Sequence, residues 1–74
     1  MEPHKYDYSE LQGDIRKTFG TQGAFAKAMG MADATMSLKL NNKAEWSQDE
    51  MFHAVDLLGK DASMIKIYFF THTV

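Results

Sequence analysis

The sequence predicts an all-α domain, a compact bundle of four or five short helices, and three observations lead to that prediction. Apolar residues recur at the i, i+4 spacing of a buried helical face. Capping residues precede most of these stretches, and glycines at positions 20, 30 and 59 end them. The chain has 74 residues and no cysteine, so one small domain without disulfide bonds is expected.

The first helix is expected to follow a capping region and to run to about Phe19. Asp7 and Glu10 have the spacing of a capping box, and Ser9 is a competing N-cap. Residues 1–5 precede these signals and are expected to be a frayed terminus. The buried stripe of the helix consists of Leu11, Ile15 and Phe19.

Two short helices around a tight turn are predicted over residues 22–42. Thr21 suits the N-cap of the first, and Gly30 supplies the left-handed backbone that ends it. Ala26 is small enough to let the next helix cross closely at a steep angle. The second helix of the pair turns two apolar side chains inward, those of Met36 and Leu40.

A fourth helix is predicted after a polar loop at residues 41–45. Ser47 and Glu50 have capping-box spacing. Trp46 and Met51 have the spacing of a hydrophobic staple, which indicates a packing role for the tryptophan. The core stripe of this helix consists of Met51, Ala54, Val55 and Leu58.

Residues 62–74 allow two structures. A short closing helix through about Ile67 would let the aromatic residues that follow pack across the core. A strand is the alternative, because Ile65, Ile67 and Phe69 alternate with other residues and β-branched and aromatic types dominate. The aromatic run either closes the core or forms an exposed patch for a dimer or another partner; it consists of Tyr68, Phe69 and Phe70.

The charges are unevenly distributed along a chain whose net charge is −2. Residues 1–15 hold one lysine against four acidic residues, and residues 44–74 hold two lysines against five acidic residues, so each segment carries −3. Residues 16–43 hold five basic residues against Asp33 alone, which gives +4. This pattern favours a phosphate-binding face, and an ordinary solvated surface is the alternative.

One set of residues within the 22–42 stretch matches a known motif. The set consists of Gln22, Ala26, Gly30, Met31, Met36, Leu40, Asn41 and Asn42. In these residues and their spacing the chain resembles the helix-turn-helix of the lambda-repressor and Cro family. The opening YDYSELQGDI, the central SLKLNNK and the closing YFF extend the resemblance over roughly residues 6–70. They are similar to the Cro and modulator-of-repression proteins of lactococcal-type phages.

The resemblance implies which residues would contact DNA. The second helix of the motif would enter the major groove. The face of this helix that would read bases, or alternatively contact a protein partner, consists of Asp33, Ala34, Ser37, Leu38 and Asn41. Phosphate contacts would come from both ends of the unit, from Thr21, Gln22, Lys39, Asn42 and Lys43. The reading face lacks the Arg and Gln side chains that make bidentate base contacts. Lys39 stands where many relatives have an inward aliphatic residue.

Two functions follow from the resemblance. The first is a DNA-binding transcriptional regulator of a phage-type genetic switch, Cro-like, that binds operator DNA as a dimer. The alternative is a modulator or antirepressor that keeps this fold but binds and inactivates a co-encoded repressor protein, through the apolar face of the second helix or through the aromatic tail. The positive segment favours DNA, whereas Asp33, Ala34 and Leu38 on the reading face favour a protein.

Catalysis is not expected. His4, His53 and His72 are scattered, and no glycine-rich phosphate loop or nucleophile motif occurs. The sequence therefore predicts no cofactor, no metal site and no small-molecule substrate. Because no apolar run approaches about 20 residues and no signal peptide is evident, the expected location is the cytoplasm of a bacterial host, away from membranes.

Overall fold

The computed structural model of the chain describes residues 6–73, which confirm the all-α prediction. The helices are α1 Ser9–Phe19, α2 Gln22–Met29, α3 Asp33–Leu40, α4 Gln48–Leu57 and α5 Ile65–Phe69, the last preceded by a 3-10 turn at Ala62–Met64. The predicted frayed terminus at residues 1–5 lies outside the described residues. Within them, β-structure is limited to one isolated antiparallel bridge between Tyr6 and His72.

The predicted helix ends are confirmed at α2 and α4. The Thr21 hydroxyl accepts a hydrogen bond from the Ala24 amide at 3.0 Å, and Gly30 ends α2 with a φ of 76°. At α4, the Glu50 amide donates to the Ser47 hydroxyl at 3.1 Å, and the Ser47 amide donates to the Glu50 carboxylate at 2.9 Å. Both arrangements satisfy amide groups that a helix leaves unpaired in its first turn.

The start of α1 differs from the predicted capping box. The Asp7 carboxylate accepts hydrogen bonds from both the amide and the hydroxyl of Ser9, so it forms a local turn instead of pairing with Glu10. The N-cap position is Tyr8, which makes no side-chain capping bond. The hydrogen bond from the Ser9 hydroxyl, together with that from its amide, lowers the pKa of Asp7. A short-range carboxylate–serine pair therefore takes the place of the predicted cap.

The core is formed by the inward faces of α1, α2, α3 and α4 and is closed by α5. Its fully buried large side chains are Tyr68, Phe25, Phe69, Leu11, Ile15 and Met36. Trp46 is also buried, as its staple spacing predicts, and its ring lies 4.9 Å from that of Phe69 and 6.4 Å from that of Tyr8, measured between centroids. These aromatic contacts join the N-terminal segment, the α3–α4 loop and α5 in one cluster.

The closing segment is a helix and not the alternative strand. Tyr68 and Phe69 are adjacent in sequence and both are buried. A strand would turn neighbouring side chains to opposite faces, whereas neighbouring positions on a helix can share a buried side. The Tyr68 hydroxyl donates to the Asp14 carboxylate and so ties α5 to α1. Burial, and then this hydrogen bond, raise the pKa of Tyr68 well above the usual tyrosine range.

Candidate partner-binding site

The outward face of α3 carries the five residues that the sequence analysis assigned to base reading or partner contact. Asp33, Ala34, Leu38 and Asn41 are exposed, and Ser37 is partly buried beside them. Leu38 is the largest apolar side chain of this face and is 46% exposed. The structure therefore presents these residues on one accessible surface, which is small, largely uncharged and apolar at its centre.

The polar groups at the C-terminal end of this face bond to each other. The Asn41 amide nitrogen donates to the Ser37 backbone carbonyl at 2.7 Å and lies 3.3 Å from the Ser37 hydroxyl. The Asn41 side-chain amide would have to break its hydrogen bond to Ser37 before it could form a bidentate pair with a base edge. The face consequently offers little hydrogen-bonding capacity and an exposed Leu38.

Three of the five predicted phosphate contacts keep an accessible position. Thr21 and Gln22 are exposed at the N-terminal end of α2, although the Thr21 hydroxyl is used as the helix cap. Lys43 is exposed in the loop after α3. The other two residues, Lys39 and Asn42, have internal partners that do not suit the predicted role.

The first correction concerns the predicted phosphate contact of Lys39, because its ammonium group points into the protein. Nζ donates to the backbone carbonyl of Glu45 at 2.6 Å and lies 3.0 Å from the Glu50 carboxylate. It also lies 5.8 Å from the centre of the Trp46 ring. The Lys39 side chain is only 11% exposed. A lysine held in this manner links α3 to the start of α4 and is not available to a phosphate group.

The same contacts lower the pKa of Glu50, the acidic partner of Lys39. Burial alone would raise the pKa of Glu50, but the hydrogen bond from the Ser47 amide and the neighbouring Lys39 ammonium more than offset that effect and lower it. The carboxylate is therefore ionised under neutral conditions. Its two hydrogen-bonding roles, as part of the α4 capping box and as the ion-pair partner of Lys39, depend on that charge.

Asn42 is the second correction. Its side-chain amide accepts a hydrogen bond from the Tyr6 amide at 2.8 Å and donates to the Tyr6 carbonyl at 2.9 Å. The residue has a φ of 62°, which asparagine tolerates better than most residues. Asn42 thus holds the N-terminal segment against the loop that follows α3, and both functional atoms of its side chain are occupied.

The aromatic tail requires a third correction. Tyr68 and Phe69 are buried in the core, so they cannot form the exposed patch that the sequence allowed. Phe70 alone is accessible, with 43% of its surface exposed, and its edge meets the ring of Tyr6 at 5.8 Å. The run of three aromatic residues is therefore divided, with two closing the core and the third lying at its rim.

The structure shows an aromatic cleft that the sequence analysis did not find. Its volume is about 470 Å³, within the range of binding cavities in proteins. The N-terminal segment, the α3–α4 loop, the first turn of α4 and the end of α5 form its walls, which contain Tyr6, Tyr8, Asn42, Lys43, Ala44, Glu45, Trp46, Met51, Phe69 and Phe70. We call this feature the aromatic cleft. Its lining combines apolar and aromatic side chains with three polar residues, Asn42, Lys43 and Glu45.

Two tertiary connections create the aromatic cleft. The Asn42–Tyr6 hydrogen bonds fix one wall, and the Asp7 amide donates to the Thr71 carbonyl at 2.6 Å to fix the other. Burial raises the pKa of Tyr8, which keeps its phenol neutral. The Tyr8 hydroxyl lies near the indole N–H of Trp46, but the two groups do not reach hydrogen-bond geometry.

Within residues 6–73, no group of three His, Cys, Asp or Glu side chains is placed to hold a metal ion. The helices of this part of the chain are also too short and too polar to cross a lipid bilayer.

Comparison with known proteins identifies a family and a similar solved structure. A family model described as a protein of unknown function, DUF739, matches residues 4–72. The solution structure of the modulator of repression of the temperate bacteriophage TP901-1 from Lactococcus lactis is 49% identical. The match covers 88% of each chain with a TM-score of 0.78. No curated protein matches the chain. Since the family model spans nearly the whole sequence, this protein belongs to the DUF739 family.

Proposed function

We propose that this protein is a modulator of repression that binds a co-encoded repressor protein and weakens that repressor's hold on its operator. The observation that carries the proposal is the similarity to the bacteriophage TP901-1 modulator of repression, at 49% identity over 88% of both chains. That similarity supports a protein as the partner, and the two outward surfaces described above are where it would bind.

We assign the main repressor contact to the aromatic cleft. Interface centres are enriched in Tyr, Trp and Phe, and a concave apolar wall can receive a side chain from the partner. Phe70 and Tyr6 supply accessible aromatic surface at the rim, while the buried Trp46 gives the floor a rigid packing. Lys43 and Glu45 at the edge can fix the orientation of the partner by pairing with opposite charges.

The outer face of α3 is a second contact surface. Leu38 is exposed, and the amide of Asn41 is already bonded to Ser37. An apolar side chain surrounded by satisfied polar groups suits a protein surface better than the edges of bases, which require donors and acceptors. Placing the repressor on α3 would also cover the surface that a DNA-binding relative would insert into the major groove.

DNA binding in the Cro-like manner is the second candidate function, with α3 in the major groove of operator DNA. One observation favours it. Arg16, Lys17, Lys27 and Lys43 are exposed, and none has an ion-pair partner among residues 6–73. Unpaired cations on α1, on α2 and in the loop after α3 would release counterions on meeting phosphate. A homodimer is the oligomeric state that this function would require.

Isothermal titration of the purified repressor with this protein tests the main proposal. We expect Phe70→Ala to weaken binding by about 30-fold or more, as truncation of an interface anchor does. Phe52→Ala is the matched control, because Phe52 is 57% exposed on α4 and lies outside both assigned surfaces. Leu38→Ala reports on the α3 face in the same assay. Equal losses in the Phe70 and Phe52 variants would contradict the assignment of the cleft.

A further inference from the structure

Asp33 occupies an unusual place at the junction of α2 and α3. It is the first residue of α3, yet its carboxylate also lies against the first turn of α2. A Cβ atom at Gly23 would be 3.6 and 3.7 Å from the two carboxylate oxygens of Asp33. The N-cap of α3 is Ala32, whose side chain makes no capping hydrogen bond. The packing of α3 on α2 brings the Asp33 carboxylate against Gly23.

The first turn of α2 is otherwise suited to an anion. The amides of Gln22 and Gly23 have no acceptor within the helix, since a helix leaves its first N–H groups unpaired. The Thr21 hydroxyl satisfies only the amide of Ala24. Together with the helix dipole, these free amides attract negative charge. Unpaired cations on the neighbouring surface, including Lys27 on α2 itself, add to that attraction.

In a helix-turn-helix complex, the first helix of the pair meets the DNA backbone while the second enters the groove by its N-terminal end. Asp33 stands at both of these places in the α2–turn–α3 unit. A phosphate that approached the Gly23 amide would come within a few ångströms of the Asp33 carboxylate, because that carboxylate already lies against Gly23. Two like charges at that separation repel each other.

We infer that Asp33 is a specificity-determining residue that keeps the α2–turn–α3 unit off nucleic acid and so reserves the protein for a protein partner. The inference rests on the proposed function, which makes a repressor the partner. It adds the reason why a fold with exposed cations and a free helix N-terminus does not itself compete for the operator. One carboxylate fills the side of α2 where the first backbone phosphate would lie.

Fluorescence anisotropy with a mixed-sequence DNA duplex of about 30 base pairs tests this inference at two salt concentrations. Asp33→Asn keeps the shape of the side chain and removes its charge. We expect it to tighten DNA binding by about fivefold, the factor that corresponds to one unit charge about 4 Å away in water. The salt dependence should steepen by about 0.9 in log–log slope, which is the contribution of one additional phosphate.

Asp56→Asn is the matched control, because Asp56 is exposed on α4 and its replacement changes the net charge equally. We expect it to tighten DNA binding by less than about twofold, because α4 is not part of the α2–turn–α3 unit and salt screens exposed charges more strongly as their separation grows. Asp33→Ser gives a second variant without the charge, and circular dichroism verifies that each variant is folded. Tightening in both Asp33 variants but not in Asp56→Asn supports the inference.

Equal tightening in the Asp33 and Asp56 variants would overturn the inference and assign the effect to net charge. Unchanged binding in folded Asp33 variants would overturn it as well, and so would tight, salt-sensitive binding by the wild-type protein. Titration of the same variants with the repressor separates this result from the proposed function. Failure of the wild-type protein to bind the repressor refutes the proposed function, whereas failure of the Asp33 variants to gain DNA affinity refutes only the role of Asp33.

Discussion

Replacing Lys39 by methionine separates a structural lysine from a phosphate-binding one. The substitution retains most of the apolar stem over Trp46 but removes the ammonium group. The Glu45 carbonyl then loses its 2.6 Å hydrogen bond and the Glu50 carboxylate loses its 3.0 Å ion pair. A fully buried ion pair that loses one partner costs about 3–5 kcal/mol. Replacing an exposed lysine of a phosphate-binding surface would leave the free energy of unfolding almost unchanged.

The expected cost lies below that range, because Glu50 is 28% exposed and keeps its hydrogen bond from the Ser47 amide. We expect Lys39→Met to lower the free energy of unfolding by about 2 kcal/mol. For a domain of this size, that corresponds to a fall of about 10 °C in Tm. Thermal and urea unfolding at pH 7, followed by circular dichroism, measure both quantities.

Two control variants distinguish the loss of the internal ion pair from the loss of a lysine charge in general. Lys43→Met removes an exposed lysine four residues away and should change the free energy of unfolding by less than about 0.5 kcal/mol. Adding Glu50→Gln to Lys39→Met removes the uncompensated carboxylate and should recover part of the loss. If Lys39→Met is as mild as Lys43→Met, the internal ion pair makes no contribution and the reasoning is refuted.

The same ion pair predicts a dependence of stability on pH. The pKa of Glu50 is lower in the folded protein than its usual value of 4.5. A lowered folded pKa contributes stability above the unfolded value and loses it as the pH falls through the folded value. Wild-type protein should therefore lose this contribution below about pH 4.5, and Glu50→Gln should show a flatter acid limb in urea titrations. An unchanged acid limb would contradict the assigned pKa direction.

Three further predictions concern single contacts. Tyr68→Phe removes the hydrogen bond to Asp14 and should cost about 1 kcal/mol in urea unfolding at pH 7. Because the pKa of Tyr68 is raised in the folded protein, the stability that its hydroxyl contributes is present below the usual pKa of 10.0 and is lost at higher pH. The variant should therefore lose less stability than wild type at alkaline pH, and parallel alkaline limbs would contradict this. Asn42→Ala loses both bonds to Tyr6 and strains the backbone, and should cost about 2 kcal/mol or more, whereas Asn42→Gly should cost less in the same thermal melt; equal costs would exclude the strain. Ser47→Ala removes the cap of α4 and should lower stability by about 1 kcal/mol, and no change in Tm would show that the capping box is dispensable.

The helices could be predicted because their signals are local. Thr21 and Gly30 bound α2 through hydrogen bonds and backbone angles set within a few residues. The capping box of Ser47 and Glu50 is read directly from a spacing of three. At such positions the sequence neighbour and the structural neighbour are the same residue, so pattern and propensity agree with the fold.

The positions of the site residues could be predicted only where the side chain has no partner that is distant in sequence. Leu38 is exposed, as the helical period predicts for the side of α3 opposite Met36 and Leu40. Lys39 follows it at a position where many relatives have an inward aliphatic residue, and its ammonium group pairs with Glu50 of another helix. Asn42 was likewise predicted to contact phosphate, but its hydrogen-bond partner is Tyr6, 36 residues away. Neither pairing leaves a trace in local composition.

The aromatic cleft was missed because it belongs to no single segment. Its walls come from the two ends of the chain and from the loop after α3, and tertiary hydrogen bonds bring them together. Two signals were nevertheless present. Trp46 beside a capping box indicated a packed aromatic residue, and the run that ends in Phe70 contained more aromatic surface than one short helix can bury.

The most direct test of the proposed function is a titration of a repressor–operator complex with this protein, monitored by mobility shift at two salt concentrations. The promoter fragment is also titrated with the protein alone. We predict that the repressor is released from the fragment as the protein is added, and that the protein alone binds the fragment only weakly. Tight, strongly salt-dependent binding of the protein alone, with the repressor still bound, would contradict it.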